Sequence, residues 1–301
     1  MPSGMYVFYG ETYGPPGSII ISTDLVNFSY NTTSIPINKM VCGNGIFVGA
    51  NNPAIYRSID GLTWDGSDTG FFGGPVAALL YANGFFVAGG SDGSSLVHLE
   101  TSPDASTFIS KTLSSGIGVV SSLAYGNGVY MASASYGEAT HIHTSTDINV
   151  WTATLSSPSF STDYLCYGNG IFMAAATVFI DSLFKIKVAL SNDNGDTWAE
   201  YIVLEDIATT LVFYNGLFVL GTQYGHLYTS TDGINWVLRP GFNAYNRKVD
   251  TLLAGNGIII ATTGHPDMFE GTCELRISYD AVAWDMQSID YMRILASAVS
   301  L

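Results

Sequence analysis

The sequence predicts an all-β fold, a single seven-bladed β-propeller of four-stranded antiparallel blades that spans residues 1–301 as one domain. Two short turns, each repeated along the chain, and the spacing between them lead to this prediction. One turn is an Asn-Gly pair between apolar runs, and the other is a Ser-x-Asp sequence followed by an aromatic residue. The second turn recurs about every 42 residues, which leaves room for the four short strands of a propeller blade.

The Asn-Gly pairs predict β-hairpins. Asn44-Gly45 separates two apolar runs at residues 41–43 and 46–48. Such a pair favours a type I′ turn, because that turn needs positive φ at both central residues. The same pattern predicts five further hairpins, at Asn83-Gly84, Asn127-Gly128, Asn169-Gly170, Asn215-Gly216 and Asn256-Gly257.

The Ser-x-Asp sequences predict tight turns, which we call the Asp turns. In each, the carboxylate can accept backbone N–H groups, and the aromatic residue four or five positions later can return to pack between sheets. The aspartates are Asp24, Asp60, Asp104, Asp147, Asp193, Asp232 and Asp280, and the chain's five tryptophans, Trp64, Trp151, Trp198, Trp236 and Trp284, all occupy the aromatic position. Seven aspartates imply seven blades.

The two ends of the chain predict how the ring closes. Residues 3–8 match the strand that follows an Asn-Gly turn, so the first blade lacks its innermost strand. Residues 293–298 match such an innermost strand. We therefore expect the amino- and carboxy-terminal strands to share one blade, which removes an open sheet edge.

One Asp turn carries a family resemblance. Ser191 to Trp198 reads S-x-D-x-G-x-T-W and resembles the Asp-box repeat of sialidase-like propellers, and the other six copies look like shorter or degenerate versions. The resemblance covers the whole chain and implies that these aspartates are structural turns. The repeats also resemble those in propeller proteins of tailed-phage virions, which implies a particle component such as a tail, fibre or capsid appendage.

The sequence gives little support for sialidase activity. It needs three arginines around a substrate carboxylate, a Tyr-Glu nucleophile pair and an acidic residue. The chain has only five arginines, namely Arg57, Arg239, Arg247, Arg276 and Arg293, and sialidases use six blades. We expect no enzyme activity and no cofactor, metal or catalytic residue. A carbohydrate-active enzyme or lectin of sialidase-like type stays the alternative.

Charge and composition narrow the partners. The chain has 10 Lys and Arg against 25 Asp and Glu, a net charge of −15, which repels nucleic acid. No secretion signal and no apolar run long enough to span a membrane are present. Cys42, Cys166 and Cys273 lie in or beside apolar runs, so we expect buried thiols and synthesis in a host cytoplasm, with the virion as final location.

The variable loops predict where a ligand binds. If both kinds of turn lie on one face of the disc, the opposite face carries the connections that differ between blades. Aromatic side chains on polar loops suit sugar stacking or protein contact. The candidate ligand-binding residues are Tyr13, Phe71, Phe72, Tyr136, Phe179, Phe242, Tyr245, Arg247 and Phe269. The expected partners are other virion proteins, host surface glycans or both.

Overall fold

The computed structural model describes residues 4–11, 17–51, 53–66, 74–136, 139–154, 157–242, 247–264, 273–289 and 293–299. All regular secondary structure in these ranges is β, with no helix, so the all-β prediction is confirmed. The strands in chain order are β1 (Tyr6–Glu11), β2 (Gly17–Ser22), β3 (Ser29–Thr33), β4 (Lys39–Gly43), β5 (Ile46–Asn51), β6 (Ala54–Ser58), β7 (Asp65–Gly66), β8 (Val76–Ala82), β9 (Phe85–Ser91), β10 (Leu96–Ser102), β11 (Ile109–Gly126), β12 (Val129–Tyr136), β13 (Ala139–Ser145), β14 (Thr152–Ala153), β15 (Tyr164–Gly168), β16 (Ile171–Ile180), β17 (Leu183–Ser191), β18 (Ala199–Leu204), β19 (Ala208–Tyr214), β20 (Leu217–Thr222), β21 (Leu227–Ser230), β22 (Val237–Arg239), β23 (Val249–Gly255), β24 (Ile258–Thr263), β25 (Cys273–Ser278), β26 (Asp285–Ile289) and β27 (Arg293–Val299).

The strands form antiparallel sheets of consecutive neighbours. Within the described ranges, four-stranded sheets have the orders β4-β5-β6-β7, β15-β16-β17-β18, β19-β20-β21-β22, β23-β24-β25-β26 and β27-β1-β2-β3. A seven-stranded sheet runs from β8 to β14. Its long strand β11 pairs with β10 through residues 109–117 and with β12 through residues 118–126, so two four-stranded sets share this strand.

The six predicted Asn-Gly hairpins are confirmed. Each joins the first and second strands of a four-stranded set, as β4 and β5 show, where Gly43 pairs with Ile46. Asn44 has φ 50° and Gly45 has φ 73°, and the other Asn-Gly pairs repeat these positive values. Positive φ at two successive residues matches the right-handed twist of the flanking strands.

Hydrogen bonds explain the shape of each Asp turn. Asp60 Oδ1 accepts the backbone N–H groups of Leu62 at 2.8 Å and Thr63 at 2.7 Å. Ser58 Oγ donates to Asp60 Oδ1 at 3.0 Å and accepts the buried N–H of Gly61 at 2.8 Å. In all seven turns the serine Oγ donates to the aspartate. The short polar side chains therefore take over the backbone bonds that a ladder would otherwise supply.

The core lies between neighbouring sheets rather than at one centre. Among the described residues, buried hydrophobic side chains form seven clusters, each built from two adjacent four-stranded sets. Trp64, for example, packs with Val7 of one sheet and Phe47 of the next. The other clusters each hold the aromatic residue of one Asp turn, namely Phe28, Phe108, Trp151, Trp198, Trp236 or Trp284. All three cysteines are free, and Cys166 and Cys273 are buried as predicted, whereas Cys42 is only half-buried. Burial raises the pKa of the Cys166 and Cys273 thiols to about 12.

The first strands of successive sets lie side by side. β4, β8, β11, β15, β19 and β23 each contact the next in this series, and β27 contacts both β23 and β4. Side-chain hydroxyls connect them: Ser122 Oγ of β11 accepts the N–H of Leu165 of β15 at 2.8 Å, and Thr209 Oγ1 of β19 donates to Val249 O of β23 at 2.7 Å. The carboxy-terminal strand β27 also pairs with β1, with Val7 opposite Ala298, as expected for a set that both chain ends share.

Candidate interaction face

Both repeated turns lie on one face of the molecule. Asn127 of one hairpin donates from Nδ2 to Asn194 Oδ1 of an Asp turn at 3.0 Å. Asn169 Nδ2 donates to Thr231 O of the next Asp turn at 2.9 Å. We call this side the Asp-turn face. The connections from second to third strands, and from fourth strands to the next first strand, leave from the opposite strand ends, and we call that side the loop face.

Most sequence-predicted ligand residues lie outside the described part of the chain. For Tyr136, which ends β12, the structure describes the backbone alone. Tyr13, Phe71, Phe72, Tyr245 and Phe269 fall outside the described ranges. Of the predicted set, Phe179, Phe242 and Arg247 have described side chains.

Phe242 does not lie on a binding surface. It is only 2% exposed, and its ring centroid lies 5.0 Å from that of Trp284 with the two planes at 89°. The guanidinium of Arg276 lies 4.9 Å from its ring centroid. Phe242 therefore fills the core between the β19–β22 and β23–β26 sheets, beside an Asp-turn tryptophan.

Arg247 is held in an ion-paired cluster. Its Nη1 lies 3.1 Å from Glu274 Oε1, while Arg276 Nη2 lies 2.9 Å from Glu274 Oε2. The two guanidinium groups thus share one carboxylate. Because Arg247 is largely buried within this arrangement, it stabilises β25 and the approach to β23 rather than presenting a free charge to a ligand.

Phe179 is exposed at the tip of a projecting hairpin. Strands β16 and β17 pair as far as Ile180 and Leu183, leaving Asp181 (φ 54°) and Ser182 (φ 66°) as the turn. Phe179 is 65% exposed and Phe184, directly opposite it, is 49% exposed, with ring centroids 5.1 Å apart. We call Phe179, Ile180, Leu183 and Phe184 the hairpin tip.

Ion pairs form beside the turn and along the strands of this hairpin. Lys185 Nζ lies 3.7 Å from Asp181 Oδ2 and 4.0 Å from Glu205 Oε1. Lys187 Nζ lies 2.7 Å from Glu200 Oε2. Positive φ at both central residues is the backbone conformation of a two-residue type I′ hairpin turn, although neither Asp181 nor Ser182 is a glycine. The uninterrupted pairing of β16 with β17 as far as Ile180 and Leu183 holds the hairpin tip in a single register.

A polar cavity opens between the first strands. Its volume is about 380 Å³, and its lining includes Lys39, Asp163, Tyr164 and Asp250 together with serine and threonine side chains. Desolvation lowers the pKa of Lys39 and raises that of Asp163, although both side chains contact solvent through the cavity. Desolvation also raises the pKa of Tyr164 to about 12. These side chains were not singled out from the sequence, because a predicted ring of innermost strands does not show which of their residues face the cavity.

The described ranges contain neither a candidate metal site nor a candidate membrane span. No three or more His, Cys, Asp or Glu side chains cluster there in a way that could hold a metal ion. In the same ranges, no helix has the length and apolar character needed to cross a membrane.

Comparisons with known proteins show the fold. No protein-family model matches the chain, and no curated protein matches it either. Three solved structures each superpose with a TM-score of 0.63. YCF48 bound to D1 peptide is 13% identical and covers 87% of this chain and 86% of its own, and a chain of the mitotic checkpoint complex is 13% identical with 87% and 83% covered. The computationally designed Ika8 protein is 12% identical with 98% and 90% covered. The chain thus has a β-propeller fold.

Proposed function

We propose that this chain is a non-catalytic interaction module that binds another protein or a surface glycan through its loop face. The exposed hairpin tip is the observation that carries the proposal. Scattered exposed hydrophobic residues are ordinary, whereas two exposed aromatic rings in contact with each other, as those of Phe179 and Phe184 are, favour a contact surface. Aromatic residues give the largest contact area for the least conformational entropy.

We further propose that residues 1–301 form one domain, a ring of seven blades. The division of the β8–β14 sheet into two four-stranded sets that share β11 supports the count. Contacts of β27 with β23 and β4, and its pairing with β1, support closure of the ring by the two chain ends. The hydrogen bonds of the Asp turns are consistent with the structural role that the resemblance to Asp-box propellers implies.

The cellular setting we propose is a bacteriophage virion. Its support is the composition, in which only 12% of the residues are charged, so that uncharged polar residues cover much of the surface, together with the resemblance to virion propellers. The module would contact host surface glycans or other virion proteins in a tail, fibre or capsid appendage. Mass spectrometry of purified particles tests this setting: we expect the chain in stoichiometric amount, and its absence would refute the virion assignment.

Binding at the hairpin tip can be tested with two double variants. Phe179→Ser with Phe184→Ser removes both rings of the tip. The control, Ile59→Ser with Leu62→Ser, removes two exposed apolar side chains of an Asp turn on the other face, where Ile59 is 69% exposed. We expect binding to host-envelope preparations or arrayed glycans to fall at least ten-fold in the first variant and to be unchanged in the control.

Equal binding by the two variants would refute the hairpin tip as the contact surface. A glycan array together with an envelope-protein blot separates the two classes of partner. Binding of glycans without turnover would identify a lectin, and binding of proteins alone would identify an assembly or attachment contact.

The alternative, a carbohydrate-active enzyme, rests on one observation. Asp163 and Asp250 both line the polar cavity, and paired carboxylates are what glycoside hydrolysis requires. A glycosidase assay with Asp163→Asn and Asp250→Asn tests this alternative. Turnover by the wild-type chain that either substitution abolishes would replace the non-catalytic proposal.

A further inference from the structure

A second recess lies on the Asp-turn face, between the β23 sheet and the sheet that contains β1 and β27. It has a volume of about 150 Å³. Its floor is formed by Tyr6, Leu25 and Ile258, all of which are buried hydrophobic residues. Its rim includes Val26 and Tyr279, each 61% exposed. We call this recess the inter-sheet pocket.

The volume of the pocket limits what can enter it. An engineered apolar cavity of about 150 Å³ binds benzene. The inter-sheet pocket has a similar volume and its floor is formed by buried hydrophobic residues, but unlike a closed cavity it has an exposed rim. One aromatic ring or one large aliphatic side chain therefore fits it.

The charges that line the pocket decide which residues can stand next to the bound side chain in its own peptide. Asp24 and Asp285 line the pocket, and no lysine or arginine is among its described lining residues. The Asp24 carboxylate accepts the backbone N–H groups of Asn27 and Val26. These hydrogen bonds, above all that from Asn27, lower its pKa, so the carboxylate is ionised at neutral pH. The whole chain adds a net charge of −15. A second copy of this chain is repelled by the same field, whereas a basic segment is attracted.

We propose that the inter-sheet pocket binds a peptide segment of a partner protein in which an aromatic or large aliphatic side chain is flanked by lysine or arginine. The apolar side chain occupies the recess and the flanking cations face Asp24 and Asp285. This site lies on the Asp-turn face and does not depend on the hairpin tip. The molecule would then contact different partners through its two faces.

Methyl NMR with three short peptides tests this proposal. The probes are Lys-Lys-Phe-Lys-Lys, Lys-Lys-Ala-Lys-Lys and Glu-Glu-Phe-Glu-Glu, added to the full chain labelled at Ile, Leu and Val methyl groups. We expect the first peptide to shift the resonances of Leu25, Val26 and Ile258 in a saturable manner. The alanine peptide should bind at least ten-fold more weakly, and the acidic peptide should leave these resonances unmoved.

A matched pair of charge reversals tests the rim. Asp285 and Asp65 are both exposed, and each directly follows an Asp-turn tryptophan as the first residue of a fourth strand, β26 or β7. Asp285→Lys removes a pocket carboxylate, whereas Asp65→Lys makes the same change in net charge elsewhere. We expect Asp285→Lys to weaken binding of the basic phenylalanine peptide at least five-fold and Asp65→Lys to weaken it less than two-fold.

Several outcomes would overturn the proposal. Equal binding of the phenylalanine and alanine peptides would show attraction by charge alone, and equal weakening by the two charge reversals would show that the site is elsewhere. Shifts of the pocket resonances with protein concentration in the absence of peptide would identify a contact between copies of the chain. If Asp285→Lys lowers the melting temperature, Val26→Arg provides a second variant, because the turn uses only the backbone N–H of Val26. Val26→Arg should also weaken binding of the basic phenylalanine peptide.

Discussion

Replacing Ser58 with alanine tests the account of the Asp turns. Ser58 is buried, and its Oγ accepts the buried N–H of Gly61 at 2.8 Å. Alanine leaves that donor without this acceptor and beyond the reach of water, and it also removes the bond to Asp60. A buried donor left unpaired costs about 1–3 kcal/mol. With an unfolding entropy of about 2.1 cal/mol/K per residue, the 301-residue chain should melt about 2–5 °C lower.

Differential scanning calorimetry measures the shift, and a second serine supplies the control. Ser106 Oγ also donates to a turn aspartate, Asp104, at 2.8 Å, but this bond is exposed. Water can replace it, so Ser106→Ala should cost less than about 0.5 kcal/mol. Equal melting temperatures for Ser58→Ala and Ser106→Ala would refute the argument that the buried backbone donor is what makes the serine necessary.

Three further outcomes are expected. Gly61→Ala should lower the free energy of unfolding more than Gly45→Ala does in urea denaturation. The two glycines have similar positive φ values, 70° and 73°, but a Cβ at Gly61 would lie 2.7 Å from the side chain of Val7 in the neighbouring sheet, whereas a Cβ at Gly45 would have no neighbour within 4 Å. Trp64→Ala should cost about 3–5 kcal/mol by the same assay, because Trp64 is buried; an unchanged midpoint would contradict the packing between sheets. Backbone N–H donors lower the pKa of Asp60 to about 2, below its unfolded value, so its stabilisation is present above about pH 4 and is lost as the pH falls toward 2. Between pH 6 and pH 2 the free energy of unfolding should fall less for Asp60→Asn than for the wild-type chain. An identical dependence of this free energy on pH in the two proteins would contradict the prediction.

Local chemistry accounts for what could be predicted from the sequence. Asn44-Gly45 carries its own turn type, since positive φ at both residues is a property of these two residue types. The serine and aspartate of an Asp turn likewise find their partners within a few residues. Both repeats therefore indicated the all-β fold and the order of strands without any knowledge of distant contacts.

Contacts between distant segments explain what sequence reasoning did not find. Phe179 and Phe242 were both predicted to lie in variable connections and to bind a ligand, whereas the structure places Phe179 in β16. Phe242, which follows β22, is buried because Arg276 of β25 and Trp284, which precedes β26 in the neighbouring sheet, cover it. Phe179 stays exposed because its hairpin extends beyond its sheet. The spacing of residues along the sequence gives the same kind of information for both phenylalanines, so it could not show that one is exposed and the other buried.

Turn geometry, strand order and the repeat follow from residues that are neighbours in the chain, and for this protein they can be inferred from its amino acids alone. Burial, the convergence of Lys39 and Asp163 on one cavity and the opening of a pocket between two sheets depend on segments brought together from distant parts of the chain. The physical reason is that a turn is decided by local torsion angles and hydrogen bonds, whereas exposure is decided by whichever sheet packs alongside.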